Sequence, residues 1–239
     1  MAFLQTFDHT GTHRLIPAKY SDGSVLETLP LPAQTITDLT ELDSATNERK
    51  LAERRGAAGI GPGELLYGVP EAHIVNAAFC HPGPHGGRFN DSTRGAWYAS
   101  IELETSIAEV AFHKRRFLRE GRIAGEFTFE YLDFLADFHG EFHHLDQTEA
   151  QICRQPEPVP QCYGPSQALG IRLLYEGSIG IVYQSVRRPE GTCVACFRPA
   201  LVVHPRRDVG YRIRLEAGKD TCHAEPRNPL TNMSRTRPS

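Results

Sequence analysis

The C-terminal third of the chain constrains the fold most. IGIVYQSV (Ile179–Val186), TCVACFRPALVV (Thr192–Val203) and GYRIRLEA (Gly210–Ala217) are runs of β-branched and aromatic residues. The first two are separated only by a turn through Arg188 and Gly191. Strands joined this closely pair as hairpins, because a parallel partner needs a long crossover. Regular alternation of strand and helix is missing upstream, and no GxGxxG lies between a strand and a helix. The order therefore predicts an α+β fold on an antiparallel or split sheet, not a doubly wound one. A Rossmann-type dinucleotide site is excluded on the same grounds.

Further upstream, RLIPAKY (Arg14–Tyr20) reads as a strand entering a turn at Ser21–Gly23. Ile36, Leu39 and Leu42 have helical spacing, with Gly56 as a stop. GIGPGELLYGVP is a loop, and HIVNAAFC (His73–Cys80) is a buried apolar run. HPGPHGG is a second glycine-rich loop, ending at Arg88. Ala96–Ile101 reads as a strand. Thr105 is the expected N-cap of a helix ending at Gly121. Ile107, Val110, Ala111, Lys114, Phe117 and Leu118 form its apolar stripe. FTFEYLDF (Phe127–Phe134) alternates like a half-buried strand. HGEFHHLD, with His139, His143 and His144, matches no specific metal spacing and reads as a solvated loop. A proline-rich loop leads to a helix opening at Pro165. The tail from Gly218 is polar and is expected to be poorly ordered.

With 239 residues, 40% of them hydrophobic and 23% charged, the chain suits one large domain, or one domain with an appended arm. A net charge of −3 gives no global field for nucleic acid or a membrane. No apolar run is long enough to span a bilayer. MAFLQTFDHTGTHRL lacks the pattern of a signal peptide, which predicts a cytoplasmic protein. The six cysteines then read as free thiols. Cys193 and Cys196 form a CxxC, but three residues apart on a strand places them on opposite faces, so no zinc site is expected.

Three residues stand out for chemistry. Arg88 follows Gly86 and Gly87, where backbone can approach a ligand, and its fork suits a diphosphate. Tyr98 offers a flat stacking face. Glu109 offers a carboxylate able to stabilise a cationic sugar. Together they supply what cleavage of the nicotinamide bond of NAD requires. Each also has an ordinary reading: a surface ion pair for Arg88, core packing for Tyr98, and an exposed i,i+4 pair with His113 for Glu109. On a helical wheel Glu109 lies opposite the apolar stripe. It becomes functional only if that face lines a cleft.

The segments GGRFN, AWYAS, SIAEVAFH, YGPSQALG and GIVYQSVRRPEGTCVACFRP, taken in order, resemble the RES domain family of toxins. The resemblance spans roughly residues 12–216, leaving 217–239 as a polar tail. It is to the longer form, which includes toxins similar to ParT, with an inserted region at about 24–82. It implies an ADP-ribosyltransferase-like fold with flanking helices and NAD as substrate, without a metal. The implied activity is NAD glycohydrolase or phosphorylase. The alternatives are mono-ADP-ribosyl transfer to a host protein, or a non-catalytic binding module. The implied partner is an Xre-type helix-turn-helix antitoxin. Arg88, Tyr98, Glu109 and Ser185 would be catalytic. Arg14, Arg88, Tyr98, Ser166 and Gln167 would bind the dinucleotide.

Overall fold

The computed structural model describes residues 2–20 and 59–227. The expected turn at Ser21, the helix through Ile36–Leu42 and its stop at Gly56 lie outside the described residues. In chain order the elements are β1 (Phe3–Pro17), α1 (Ala72–Cys80), β2 (Trp97–Ser100), α2 (Leu103–Glu120) and β3 (Glu126–His144). They continue with α3 (Gln147–Cys153), α4 (Gly164–Tyr175), β4 (Gly180–Gln184), β5 (Thr192–Cys196), β6 (Val203–Glu216) and β7 (Cys222–Pro226). The fold is α+β, as the strand order predicts.

The strands form one sheet in the order β1-β2-β5-β4-β3-β6-β7, and β1 also pairs with β3. That extra pairing closes five strands into a ring. β1 runs antiparallel along β3 from Phe3 opposite His144 to Pro17 opposite Tyr131. At the other side of the ring, β3 meets β4 in parallel through His143 and His144. The remaining pairings are antiparallel, including the β4–β5 hairpin over Gly180–Gln184.

Several local expectations are corrected. The histidine-rich segment is not a loop but the far end of β3, where pairing with both β1 and β4 satisfies its backbone. His139 meets Asp8, His143 meets Ser178 and His144 stacks on Phe3, so the three rings serve separate neighbours. Thr105 is not the N-cap of α2. The helix starts three residues earlier, with Glu102 at the cap position, and the buried Thr105 hydroxyl donates to the Glu102 carboxylate at 2.7 Å. The tail is not wholly irregular: Cys222–Pro226 add an edge strand to β6. TCVACFRPALVV is broken after Cys196, and a 3-10 turn at Pro199–Leu201 sends the chain into β6.

The β2-β5-β4 portion of the sheet is covered on both faces. One face packs Trp97, Val182, Val194 and Cys196 against Ile74, Val75 and Phe79 of α1. The other packs Cys193, Ala195, Ile181 and Tyr183 with Leu169 and Leu173 of α4. Cys193 and Cys196 thus fall in different cores, as their strand spacing requires. A third cluster sets Ala111 of α2 on Leu15, Tyr131, Ile213 and Leu215. Burying such side chains contributes roughly 1.5–3 kcal/mol each, so these contacts hold α2 against β1, β3 and β6, with β2 alongside. The space left between them is the cleft described next. No helix among the described residues is long and apolar enough to cross a membrane.

Candidate active site

A cleft of about 400 Å³ opens between the cleft-facing flank of α2 and the strands that carry Arg14 and Tyr98. Arg14, Arg88, Tyr98 and Glu109 all line it. Ser185 reaches it indirectly, by donating its hydroxyl to Glu109 Oε1 at 2.7 Å. These two residues stand 76 apart in the chain. Their contact arises because β4 ends beside α2 and the turn of residues 185–191 folds over the start of the helix. The same Ser185 oxygen accepts from the backbone amides of Arg187 and Arg188. Its orientation is therefore fixed from both sides.

Glu109 does not pair with His113. Its helix flank, opposite the apolar stripe, would face water on an isolated helix. Here the segment bearing Tyr163 and the turn after Ser185 rise beyond it and make it a wall. Burial pushes the Glu109 carboxyl above the ordinary carboxylate range. The Ser185 hydrogen bond and the charges of Arg187 and Arg88 oppose that push. Cys193 lies 4.0 Å from the same oxygen.

Arg88 is buried at 6% exposure. One guanidinium nitrogen donates to the carbonyls of Cys153 and Gln155, at 2.8 and 3.1 Å. Its plane lies over Tyr163, 4.9 Å from the ring centre. The arginine thus braces the proline-rich segment while presenting its charge to the cleft. It is not in a surface ion pair.

Tyr98 gives its ring to the cleft and its hydroxyl to the protein. The hydroxyl donates to Asn90 Oδ1 and accepts from the Phe89 amide, each at 2.8 Å. Burial raises this phenol, so it stays protonated. Arg14 donates to the Tyr98 carbonyl at 2.9 Å and stacks over Trp97. Burial lowers Arg14 to about 10, which leaves it cationic at neutral pH.

Two expected ligand contacts are placed elsewhere. Ser166 is fully buried and lies outside the cleft lining; its hydroxyl donates to the Tyr163 carbonyl within the start of α4. Gln167 is also absent from the lining, and its amide is turned onto the loop that carries Arg88. Sequence reasoning missed Tyr131, Tyr163, Tyr183 and His113, all of which line the cleft. The tyrosines come from three distant segments, and no local spacing links them. His113 was legible as one turn beyond Glu109. It sits at the cleft mouth, in contact with water. Desolvation by the cleft wall, followed by the charges of Arg116, Arg187 and Arg88, brings its imidazole down to about 4. It is neutral at physiological pH.

Chemically, the cleft offers one partly buried carboxylate, cations on two sides and aromatic faces. That set suits an anionic, ring-bearing ligand on which positive charge develops. Among the described residues no group of histidine, cysteine or acidic side chains could hold a metal ion.

A family model for the RES domain matches residues 65–216, more than half of the chain. The chain belongs to the RES domain family. No curated protein matches it. Among solved structures it is similar to a chain of the M. tuberculosis MbcT–MbcA toxin–antitoxin complex, at 10% identity and a TM-score of 0.43. The alignment covers 87% of this chain and 86% of that one. In this RES domain, the arginine, tyrosine and glutamate first noticed in the sequence share one cleft.

Proposed function

We propose that this RES domain protein is the toxin of a toxin–antitoxin pair and that it cleaves the nicotinamide–ribose bond of NAD. The observation that carries the reading is the partly buried Glu109 carboxylate, oriented by Ser185 in a cleft shared with Arg88, Arg14 and Tyr98. Family membership supports it. The unit we assign to the activity is roughly residues 12–216, which includes Arg14 of β1, although β1 itself begins at Phe3 and pairs with β3 along its length. The insertion expected at about 24–82 overlaps the RES match, which begins at residue 65, and its last part, α1, packs into the core; the tail at 217–239 is assigned no part in the chemistry.

Nicotinamide leaves as a neutral molecule from a cationic ring. No general acid is required for its departure, unlike the carboxylate pair of ordinary glycosidases. The positive charge passes to the ribose, and an ionised Glu109 at hydrogen-bonding distance from the sugar stabilises it. Arg88 and Arg14 supply the positive charge that holds the diphosphate. Tyr98 packs its face against the nicotinamide or its ribose. Ser185 holds Glu109 in the productive rotamer. The acceptor is water or phosphate, and an Xre-type helix-turn-helix antitoxin is the partner that blocks the cleft.

Incubation of the purified protein with labelled NAD tests this directly, with and without phosphate and with cell lysate. Free ADP-ribose reports hydrolysis, and a phosphate-dependent product reports phosphorolysis. Label on a protein band would instead identify ADP-ribosyl transfer. No consumption under any condition would leave a binding module and overturn the proposal.

A further inference from the structure

The turn that carries Arg88 is gripped from the side away from the cleft. Gln167 Nε2 donates to the carbonyls of His85, Gly87 and Asn90, at 2.8, 3.0 and 3.1 Å. An amide nitrogen has two hydrogens, so these three contacts use all of its donor capacity and share at least one hydrogen. Three residues further along α4, on the same helix face, Gly170 lies flat on the turn. A Cβ at Gly170 would run into the Phe89 carbonyl. On the opposite side, the Tyr98 hydroxyl binds the Phe89 amide and the Asn90 side chain. The turn closes on itself through the Gly87 amide and the Asn90 carbonyl at 2.9 Å. Gly86 enters it with a φ of +68°, in the left-handed region.

We propose that Gln167 is a positioning residue. It clamps the Gly86–Asn90 turn from α4, so that Arg88 is held ready in the cleft, and it does not touch the dinucleotide. The inference deepens the NAD reading and rests on it only for its kinetic consequence. The physical reason is local. Three carbonyls of the turn converge on one donor nitrogen, two of these contacts partly buried, and replacing that donor by an acceptor would set like partial charges against each other. A fixed turn carries its arginine at no ordering cost when an anion binds.

Three substitutions at Gln167 separate a clamp from a ligand contact. Gln167→Glu is nearly isosteric but replaces the donor by a carboxylate facing three carbonyls. Gln167→Lys keeps only donors. Gln167→Met removes both without repulsion. Amide hydrogen exchange across residues 86–90 reads the clamp without any ligand. NAD turnover reads its consequence. The clamp predicts that Gln167→Glu speeds exchange of the turn by about tenfold or more and raises KM for NAD by about tenfold, with kcat changed by less than about threefold. Gln167→Lys should stay near wild type in both measurements, and Gln167→Met should fall between.

Native exchange in Gln167→Glu would overturn the proposal. So would a Gln167→Lys variant with native exchange but the KM defect of Gln167→Glu, because that pattern marks a direct ligand contact. If the wild-type protein consumes no NAD, the proposed function fails, and the exchange measurements still decide the clamp.

Discussion

The two walls of the cleft are built on opposite principles. The turn wall, Gly86–Asn90 with Tyr98 behind it, satisfies its polar groups within the protein. The Tyr98 hydroxyl both donates and accepts, and the donor capacity of the Gln167 amide nitrogen is fully spent. The helix wall, along α2, leaves chemistry for a ligand. Glu109 has one oxygen engaged by Ser185, while its other oxygen carries no hydrogen bond among the described residues. One turn on, a neutral His113 faces the opening. A saturated wall is rigid and keeps its shape. An unsaturated wall in a partly desolvated cleft keeps a charge poised, at a cost visible in the raised Glu109 carboxyl. The difference shows how one fold separates positioning from reaction.

The contrast breaks most sharply at Glu109. Glu109→Gln preserves shape but removes the charge. It is expected to lower kcat by about 10²–10³, the usual loss when one transition-state electrostatic group is removed, while NAD binding stays measurable by calorimetry. Intact turnover would place the reacting group elsewhere. The same carboxylate sets the pH dependence. Because its folded pKa is raised above the ordinary carboxylate value of 4.5 in the unliganded protein, kcat/KM should increase with pH through that raised value. A pH–rate profile reads that acid limb.

Ser185→Ala is expected to act next most strongly. It removes the one hydrogen bond that both orients Glu109 and favours its charged form. We expect about a tenfold loss of kcat and an acid limb moved to still higher pH. A fall in activity without that move would assign Ser185 to the turn alone.

On the other wall the effect should appear as stability. Tyr98→Phe leaves the Phe89 amide and the Asn90 side chain without their partner, which costs about 1–3 kcal/mol. Denaturant midpoints measure it. If the variant instead loses only kcat, the hydroxyl belongs to the reaction and the division between walls is wrong. Arg88→Ala should raise KM and also loosen the segment after Cys153, because Arg88 both faces the cleft and donates to the carbonyls of Cys153 and Gln155.

The smallest effect lies behind the cleft, where His13 meets the buried Asp133 at 2.6 Å. The hydrogen bond that His13 donates to the Asp133 carboxylate raises its imidazole above 6.5, against the lowering effect of burial. Its contribution to stability is therefore fully present below 6.5 and is lost as pH rises through the raised folded value. The difference in urea midpoint between wild type and His13→Gln should be largest near pH 5.5 and shrink as pH rises through the raised folded value. A constant difference across that range would exclude the linkage.

Much of the frame was legible in the chain. The hairpin of Gly180–Gln184 with Thr192–Cys196 follows from two β-rich runs about a short turn, and the helix at Gly164–Tyr175 follows from Pro165. The candidate residues Arg88, Tyr98 and Glu109 were also visible, through their chemistry and the family resemblance. What was not legible is nonlocal. The extension of β3 through three histidines depends on partners at Phe3 and Ile181, which no local pattern announces. Ser166 and Gln167 look alike as candidate contacts at a helix start, yet one is sealed beneath Tyr163 and the other grips a turn.

By itself the sequence determined the α+β class, the opposite faces of Cys193 and Cys196, and the residue types able to hold and cleave a dinucleotide. These depend on period, propensity and chemistry, all of which are local. Tertiary structure alone decided that Glu109 faces a cleft instead of open solvent and that Ser185 is its partner. It also decided that the Tyr98 hydroxyl is spent on the turn. A helical wheel knows only its own helix; whether its polar flank meets water depends on what the rest of the chain places beyond it.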